Sequence, residues 1–179
     1  MIFKEPMASF AIAISLGKQM VKTIQLHLGF SKHVAEQEAI HWLGQEGLTE
    51  PERMLRQYVH ELLGGTRQIV MIAKALSTKP KLLIADEPTT TLDVTIEAQV
   101  LDLLLELRQR FGIAMLFITH DLSIIGKVAP DLCVMQSGQI LEEGPAKKTL
   151  LTPSITRIRK APPGSSTQSQ TTSVETCWS

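Results

Sequence analysis

The sequence predicts an α/β fold built on a parallel sheet, and three observations carry that prediction. Residues 82–85 and 114–118 are short, almost wholly apolar runs, the pattern of strands covered on both faces. Between them, Ile96, Val100, Leu103, Leu104 and Leu107 recur at helical spacing. Each apolar run then ends in ionisable residues, Asp86-Glu87-Pro88 after the first and His120-Asp121 after the second. A strand–helix–strand succession of this kind implies a right-handed crossover between parallel neighbours. The 179 residues, 44% of them hydrophobic, suffice for one domain with a core and exclude wholesale disorder.

The elements follow in order. Ile2-Phe3 reads as strand-like before Pro6. Residues 16–62 read as helical, with Ser31 as N-cap for a helix whose face is Ala35, Ala39, Trp42 and Leu43, and with Gly44 and Gly47 closing it. Residues 58–65 form a turn region, and Gly64-Gly65 opens a helix through Ile69, Val70, Ile72, Ala73 and Leu76 that stops before Pro80. The strand at 82–85 precedes the long helix Val94–Phe111, for which Gly112 supplies the C′ residue. Strand Ala114–Thr119, helix Leu122–Val128 and a hairpin of Asp131–Gln136 with 139–141 about Ser137-Gly138 complete the ordered part. Residues 165–173 are all Ser, Thr or Gln, so 151–179 is expected to be a disordered tail, with Arg157-Ile158-Arg159-Lys160 as a solvated charge run.

Charge excludes some functions. Lys+Arg and Asp+Glu balance at 18 each, which argues against nucleic-acid binding driven by bulk charge. Cys133 and Cys177 stand in unlike contexts, and reduced cytoplasmic thiols are expected. The start lacks a long apolar leader core, and no apolar run reaches the length of a bilayer span.

The acidic pair is the strongest chemical signal. At the carboxyl end of a buried strand, where open α/β sheets receive ligands, Asp86 can hold Mg²⁺ and Glu87 can orient a water for attack on a γ-phosphate. The structural alternative is an acidic pair stabilised by a helix dipole. His120 ends the neighbouring strand and reaches the same sheet edge as Glu87, although a lone strand-terminal histidine is more often structural. Gly64-Gly65 before a helix offers backbone N–H groups to an anion, or simply makes a turn.

In order, these pieces resemble the nucleotide-binding domain of ATP-binding cassette (ABC) transporters. Phe3-Lys4-Glu5-Pro6-Met7 looks like the Q-loop, and His60-Glu61-Leu62-Leu63-Gly64-Gly65-Thr66-Arg67-Gln68 like the signature motif. Residues 82–87 look like Walker B, Thr91-Leu92-Asp93 like the D-loop and His120 like the switch histidine. The wording of the first and fourth of these, with Val134-Met135-Gln136-Ser137-Gly138, is similar to the ATPases of bacterial dipeptide, oligopeptide and nickel importers and covers residues 1–150. It argues against a cytosolic cassette protein outside transport.

The resemblance implies a partial P-loop NTPase (RecA-like) parallel sheet with an inserted helical subdomain. Residues 1–7 would be a Q-loop strand remnant, 8–64 the helical subdomain ending in the signature, and 65–150 the carboxyl-terminal part of the nucleotide-binding core. It implies ATP and Mg²⁺ as cofactors, with Glu87 and His120 catalytic, Asp86 on the metal, and Lys4, Gly64, Gly65, Asp86 and Asp93 toward the nucleotide. Its implied partners are transmembrane permease subunits and a second ATP-binding domain in a head-to-tail dimer, with no nucleic acid, at the inner face of the plasma membrane.

The residues depart from the pattern in places. No segment reads G-x-x-x-x-G-K-[ST]; Gly17-Lys18 and Gly126-Lys127 are followed by Gln19 and Val128, neither of which brings a hydroxyl. The chain is therefore expected to be truncated ahead of the Q-loop. Losing two charge-assisted phosphate bonds of roughly 1.5–3 kcal/mol each weakens ATP binding on the order of 10²–10⁴-fold. Lys4 replaces a Gln, Leu63 a Ser and Ile69 an Arg of the family pattern. Lysine cannot accept a bond from a Mg²⁺-bound water, and leucine cannot bond a γ-phosphate. Two readings follow: an ATP-hydrolysing importer component, impaired in this chain, or a non-catalytic remnant acting as an interaction module. Strands 82–85 and 114–118 are further expected to expose edges and make the fold marginal.

Overall fold

The computed structural model describes residues 1–45, 48, 50–90 and 92–151, and the backbone of a strand at 172–176. The chain divides into two compact units, Met1–Leu83 with Pro88–Ile113, and Ile84–Glu87 with Ala114–Ser179.

The first unit is helical. Helix α1 (Leu16–Leu28) buries Leu16, Met20 and Ile24, four residues apart along one face, and ends at Gly29 in the left-handed region (φ 67°). Helix α2 (Lys32–Gln45) buries the expected Ala35, Ala39, Trp42 and Leu43. The Ser31 hydroxyl accepts from the Val34 amide at 3.4 Å, as an N-cap should. Gly44 lies inside α2 rather than closing it, and Gly47 is outside the described residues.

A short helix α3 (Pro51–Met54) and a 3₁₀ turn (Val59–Glu61) follow, so among the described residues the span read as helical is broken into four pieces. Gly17 is required where α1 meets the chain after α3. Its amide donates to the Leu55 carbonyl at 2.8 Å, and a Cβ there would stand 2.7 Å from that oxygen. One of the two Gly-Lys pairs is therefore a packing feature.

Helix α4 (Gly64–Leu76) buries Val70, Met71, Ile72, Ala73 and Leu76. Helix α5 (Val94–Phe111) buries Val100, Leu101, Leu104 and Leu107 and ends at Gly112 (φ 60°). The Trp42 and Phe111 rings meet at 5.0 Å. Ile2 is fully buried but forms a single bridge, so the strand expected at Ile2-Phe3 is not extended. Pro6, which has no amide donor, instead begins a 3₁₀ turn, Pro6–Ser9.

The second unit is a five-stranded sheet in the order β1-β2-β5-β3-β4. Its strands are β1 (Leu82–Asp86, of which 84–86 belong to this unit), β2 (Ala114–Thr119), β3 (Asp131–Gln136), β4 (Gln139–Pro145) and β5 (Thr172–Thr176). The first residue past β1, Glu87, donates its amide to Ile118 near the end of β2 at 2.9 Å, so the carboxyl ends of β1 and β2 lie together. β2 and β3 each run antiparallel to β5, and are therefore parallel to one another with one strand between. Helix α6 (Leu122–Val128), which buries Ile124, Ile125 and Val128, makes their crossover.

The β3–β4 hairpin turns through Ser137 (φ 51°) and Gly138 (φ 77°), a pair of positive φ angles that matches strand twist. β4 reaches Pro145, four residues beyond the expected strand, because β3 offers a full ladder back to Asp131. A short helix α7 (Ala146–Thr149) closes the described part.

The tail expectation needs correction. Thr172–Thr176, inside the region read as disordered, is a strand in the middle of the sheet, paired across 117–119 of β2 and 133–136 of β3. The Ser/Thr/Gln run at 165–173 carries no apolar pattern to announce a strand, but a ladder is made by backbone groups, and Thr and Val suit it. The same insertion pairs the inner edge of β2, which was expected to stand open. The rest of 152–179, with the Arg157–Lys160 charge run at residues 157–160, lies outside the described residues.

Candidate functional site at the carboxyl edge of the sheet

The second unit brings two of the sequence-nominated residues into contact. The Glu87 carboxylate lies 2.8 Å from His120 Nδ1, with side-chain exposures of 14% and 55%. Both follow directly on strands, Glu87 on β1 and His120 on β2, so the sheet itself sets their spacing. An ionised carboxylate only accepts, so in this contact Nδ1 is the donor. Glu87 also sits at φ 43°, in the left-handed region that a non-glycine residue enters at a cost of order 1 kcal/mol. Its amide bond to Ile118 holds it there. Asp86, half-buried, is the last residue of β1.

Asp121, the residue after the histidine, begins α6. Its carboxylate caps α6, accepting from the Ser123 amide at 2.8 Å, and its own amide donates to Thr119 Oγ1 at 3.0 Å. The bonds from Ser123, with the adjacent His120 charge, hold its pKa below the ordinary aspartate value of 3.8 against the opposing effect of burial. Sequence reading passed over Asp121; an Asp directly before the apolar run of α6 was the available signal.

Lys4, Gly64, Gly65 and Asp93 belong to the first unit. Gly64-Gly65 opens α4 as expected. Space beside Gly64 is open, whereas a Cβ on Gly65 would meet Ile96 Cγ2 at 3.1 Å, so Gly65 serves the contact between α4 and α5. Leu63, the residue before them, is 81% exposed and provides no side-chain cap. A cavity of about 390 Å³ opens there between α4 and α5, lined by Leu63, Thr66, Ile69, Ile96 and Val100 among others. Asp93 is the N-cap of α5, accepting from the Thr95 and Ile96 amides at 3.1 and 3.0 Å. Lys4 is exposed between Ile2 and the 3₁₀ turn.

The last residue of the run read as the signature motif has a packing role that the sequence reading did not assign. Gln68 in α4 is fully buried, and its Nε2 donates to the Pro88 carbonyl, tying the helix to the loop that follows Glu87 in sequence. Its signal was a polar residue beside the apolar run Ile69–Ala73 of α4.

The donor set fits Mg²⁺ in one mode. Among the described residues no group of three His, Cys, Asp or Glu can hold a metal. Mg²⁺ in phosphoryl-transfer sites instead uses one or two carboxylates, water and the phosphates, and Asp86 offers one such carboxylate.

The ABC transporter family model matches residues 5–90. The chain is 48% identical over 153 residues to the peptidoglycan transport ATP-binding protein YejF of Agrobacterium fabrum, covering 86% of this chain and 28% of that protein. It is 47% identical over 146 residues to the dipeptide transport ATP-binding protein DppD of Escherichia coli, covering 82% of this chain and 45% of that protein. It thus spans less than half the length of these relatives. A solved dimeric ATP-binding cassette, MJ0796 bound to ADP and Pi, superposes with a TM-score of 0.66 at 23% identity over 81% of this chain and 62% of that one, a likeness of fold. With motif order and fold in agreement, residues 5–90 match the ABC transporter family, and the chain is similar in sequence to ATP-binding proteins of peptide transport over most of its length.

Proposed function

We propose that the chain is the Walker B, signature and histidine portion of an importer ATPase for dipeptides, oligopeptides or nickel. The Glu87–His120 contact at the strand ends, beside Asp86, carries this reading. Glu87 accepts from and orients a water, His120 contacts a γ-phosphate or the attacking water, and Asp86 would hold Mg²⁺, which supplies charge neutralisation on the phosphates. Residues 8–64 form the helical subdomain and 65–150 part of the core. Gly64 and Gly65 present the amino end of α4 to the nucleotide of a second ATP-binding domain, and Lys4 and Asp93 lie toward nucleotide. The partners are that second domain and transmembrane permease subunits, at the cytoplasmic membrane face. Among the described residues no helix is long and apolar enough to cross a membrane.

A non-catalytic interaction module is the second reading, favoured by Leu63, whose exposed apolar side chain stands where an anion would approach α4. The test is Mg-ATP binding and hydrolysis by the purified chain, with Glu87→Gln beside it. On the catalytic reading, Glu87→Gln removes residual turnover by at least about 10²-fold and leaves nucleotide binding in place. Turnover that is absent, or indifferent to Glu87→Gln, overturns it and leaves the module.

A further inference from the structure

The first unit holds a second cavity, of about 760 Å³, between α1, α2 and the chain that follows α3. Its wall is unusual in charge. Lys18 and Lys22 of α1, Lys32 of α2 and Arg56 line it, against two carboxylates, Glu36 and Glu52. The wall therefore carries an excess of two positive charges, in a chain whose Lys+Arg and Asp+Glu balance at 18 each. Lys32 and Glu36 already face one another at 3.9 Å across one turn of α2. Among the described residues, Lys18, Lys22 and Arg56 form no ion pair.

Left alone, this cluster is unfavourable. Lys18 stands in the first turn of α1, where the amide dipoles already present positive charge, and that turn holds no acidic residue. Lys22 follows at i+4, the spacing at which like charges destabilise a helix. Tertiary structure then adds Arg56 to the same wall. The Leu16 amide donates to the Gln57 carbonyl at 2.9 Å, and the Gly17 amide to the Leu55 carbonyl at 2.8 Å. The residues on either side of Arg56 are thus bonded to the start of α1, which fixes the seam where the three cations gather. The rest of the wall includes the apolar side chains of Val21, Ile40 and Leu55. Small-molecule sites of about 300–1,000 Å³ have this make-up, an apolar surface with a few convergent charges.

We propose that this cavity binds a phosphate monoester, with the phosphoryl group held by Lys18, Lys22 and Arg56 and the organic body against Val21 and Leu55. A monoester carries about −1.5 to −2 charges at pH 7 and three strong acceptor oxygens, which suits an excess of two positive charges and three donor side chains. The cavity includes none of the residues assigned to ATP chemistry and stands independently of the ATPase reading.

Tyr58 lines the cavity and is the single tyrosine of the chain, so biosynthetic fluorotyrosine places one fluorine reporter there for NMR. Titration of the full chain with phenyl phosphate is expected to give a saturable shift, and phenol, which lacks the phosphoryl group, to bind at least about tenfold more weakly. Lys18→Gln with Lys22→Gln is expected to weaken phenyl phosphate at least about tenfold. Lys127→Gln with Lys147→Gln, which removes the same charge from α6 and α7, is expected to leave the affinity within about twofold. Glu52→Gln takes a negative charge from the wall and is expected to tighten binding by about 2–5-fold. A misfolded protein cannot bind more tightly, so this variant keeps the test decisive where the lysine pair fails to fold.

Flotation with phosphatidylcholine vesicles, with and without phosphatidic acid, separates two sources of the same chemistry. Flotation that needs both phosphatidic acid and Lys18 with Lys22 assigns the monoester to a lipid headgroup, and a fluorine shift without flotation assigns it to a soluble molecule. Absence of both signals overturns the proposal, as does phenol equal to phenyl phosphate, equal loss in the two lysine pairs, or a Glu52→Gln protein that binds no more tightly than the parent.

Discussion

Replacing Asp93 by Ala tests how α5 is begun. The carboxylate accepts from the Thr95 and Ile96 amides at 3.1 and 3.0 Å, so truncation strands two backbone donors at the first turn. Loss of an N-cap costs about 0.5–2 kcal/mol, and loss of a negative charge at a helix amino terminus a further 0.3–1 kcal/mol or so. The helix does not unravel, because Val100, Leu101, Leu104 and Leu107 remain buried beyond the first turn. The expected net loss is about 1–2 kcal/mol, or roughly 2–8 °C in Tm for a chain of this size. Urea titration followed by circular dichroism measures it, with Asp93→Asn and Asp93→Ser as comparators that keep a capping oxygen and recover most of the loss. A change below about 0.3 kcal/mol on Asp93→Ala, or equal losses for Asn and Ala, would refute the capping argument.

Three further expectations concern stability. The depressed pKa of Asp121 means that its carboxylate contributes stability in full above its unfolded value near 3.8, and that this contribution is lost as pH falls through the folded value. Asp121→Asn keeps a capping oxygen but cannot titrate, so unfolding followed between pH 5 and 2 should show a shallower acid slope than the parent. Gln68→Ala leaves the Pro88 carbonyl unpaired in a buried setting and should cost about 1–3 kcal/mol or more by urea denaturation; no change would mean that this tie is idle. Ile125 is fully buried under the sheet of the second unit, so Ile125→Val should cost about 0.5–1.5 and Ile125→Ala about 2–5 kcal/mol, the order that distinguishes a packed site from a slack one.

Some of this was readable from local pattern alone. The apolar faces of α2, α4 and α5, the strand boundaries of β2 and β3, and the glycine end Gly112 follow from spacing, since each depends on residues within a turn or two. The nomination of Asp86, Glu87 and His120 followed from their places at strand ends. The sequence could not give the 2.8 Å approach of Glu87 to His120, which arises because β1 and β2 lie side by side and a bond from Glu87 to Ile118 sets their ends level. Nor could it reveal Gln68, whose partner Pro88 is 20 positions away.

The strand at 172–176 marks the division most sharply. Side-chain chemistry along the chain determined the family, the helices and the order of the sheet-forming runs, because apolar burial and capping are written in neighbouring residues. Tertiary structure decided what lies between β2 and β3, because that choice belongs to backbone groups, which every residue carries alike and composition therefore cannot distinguish.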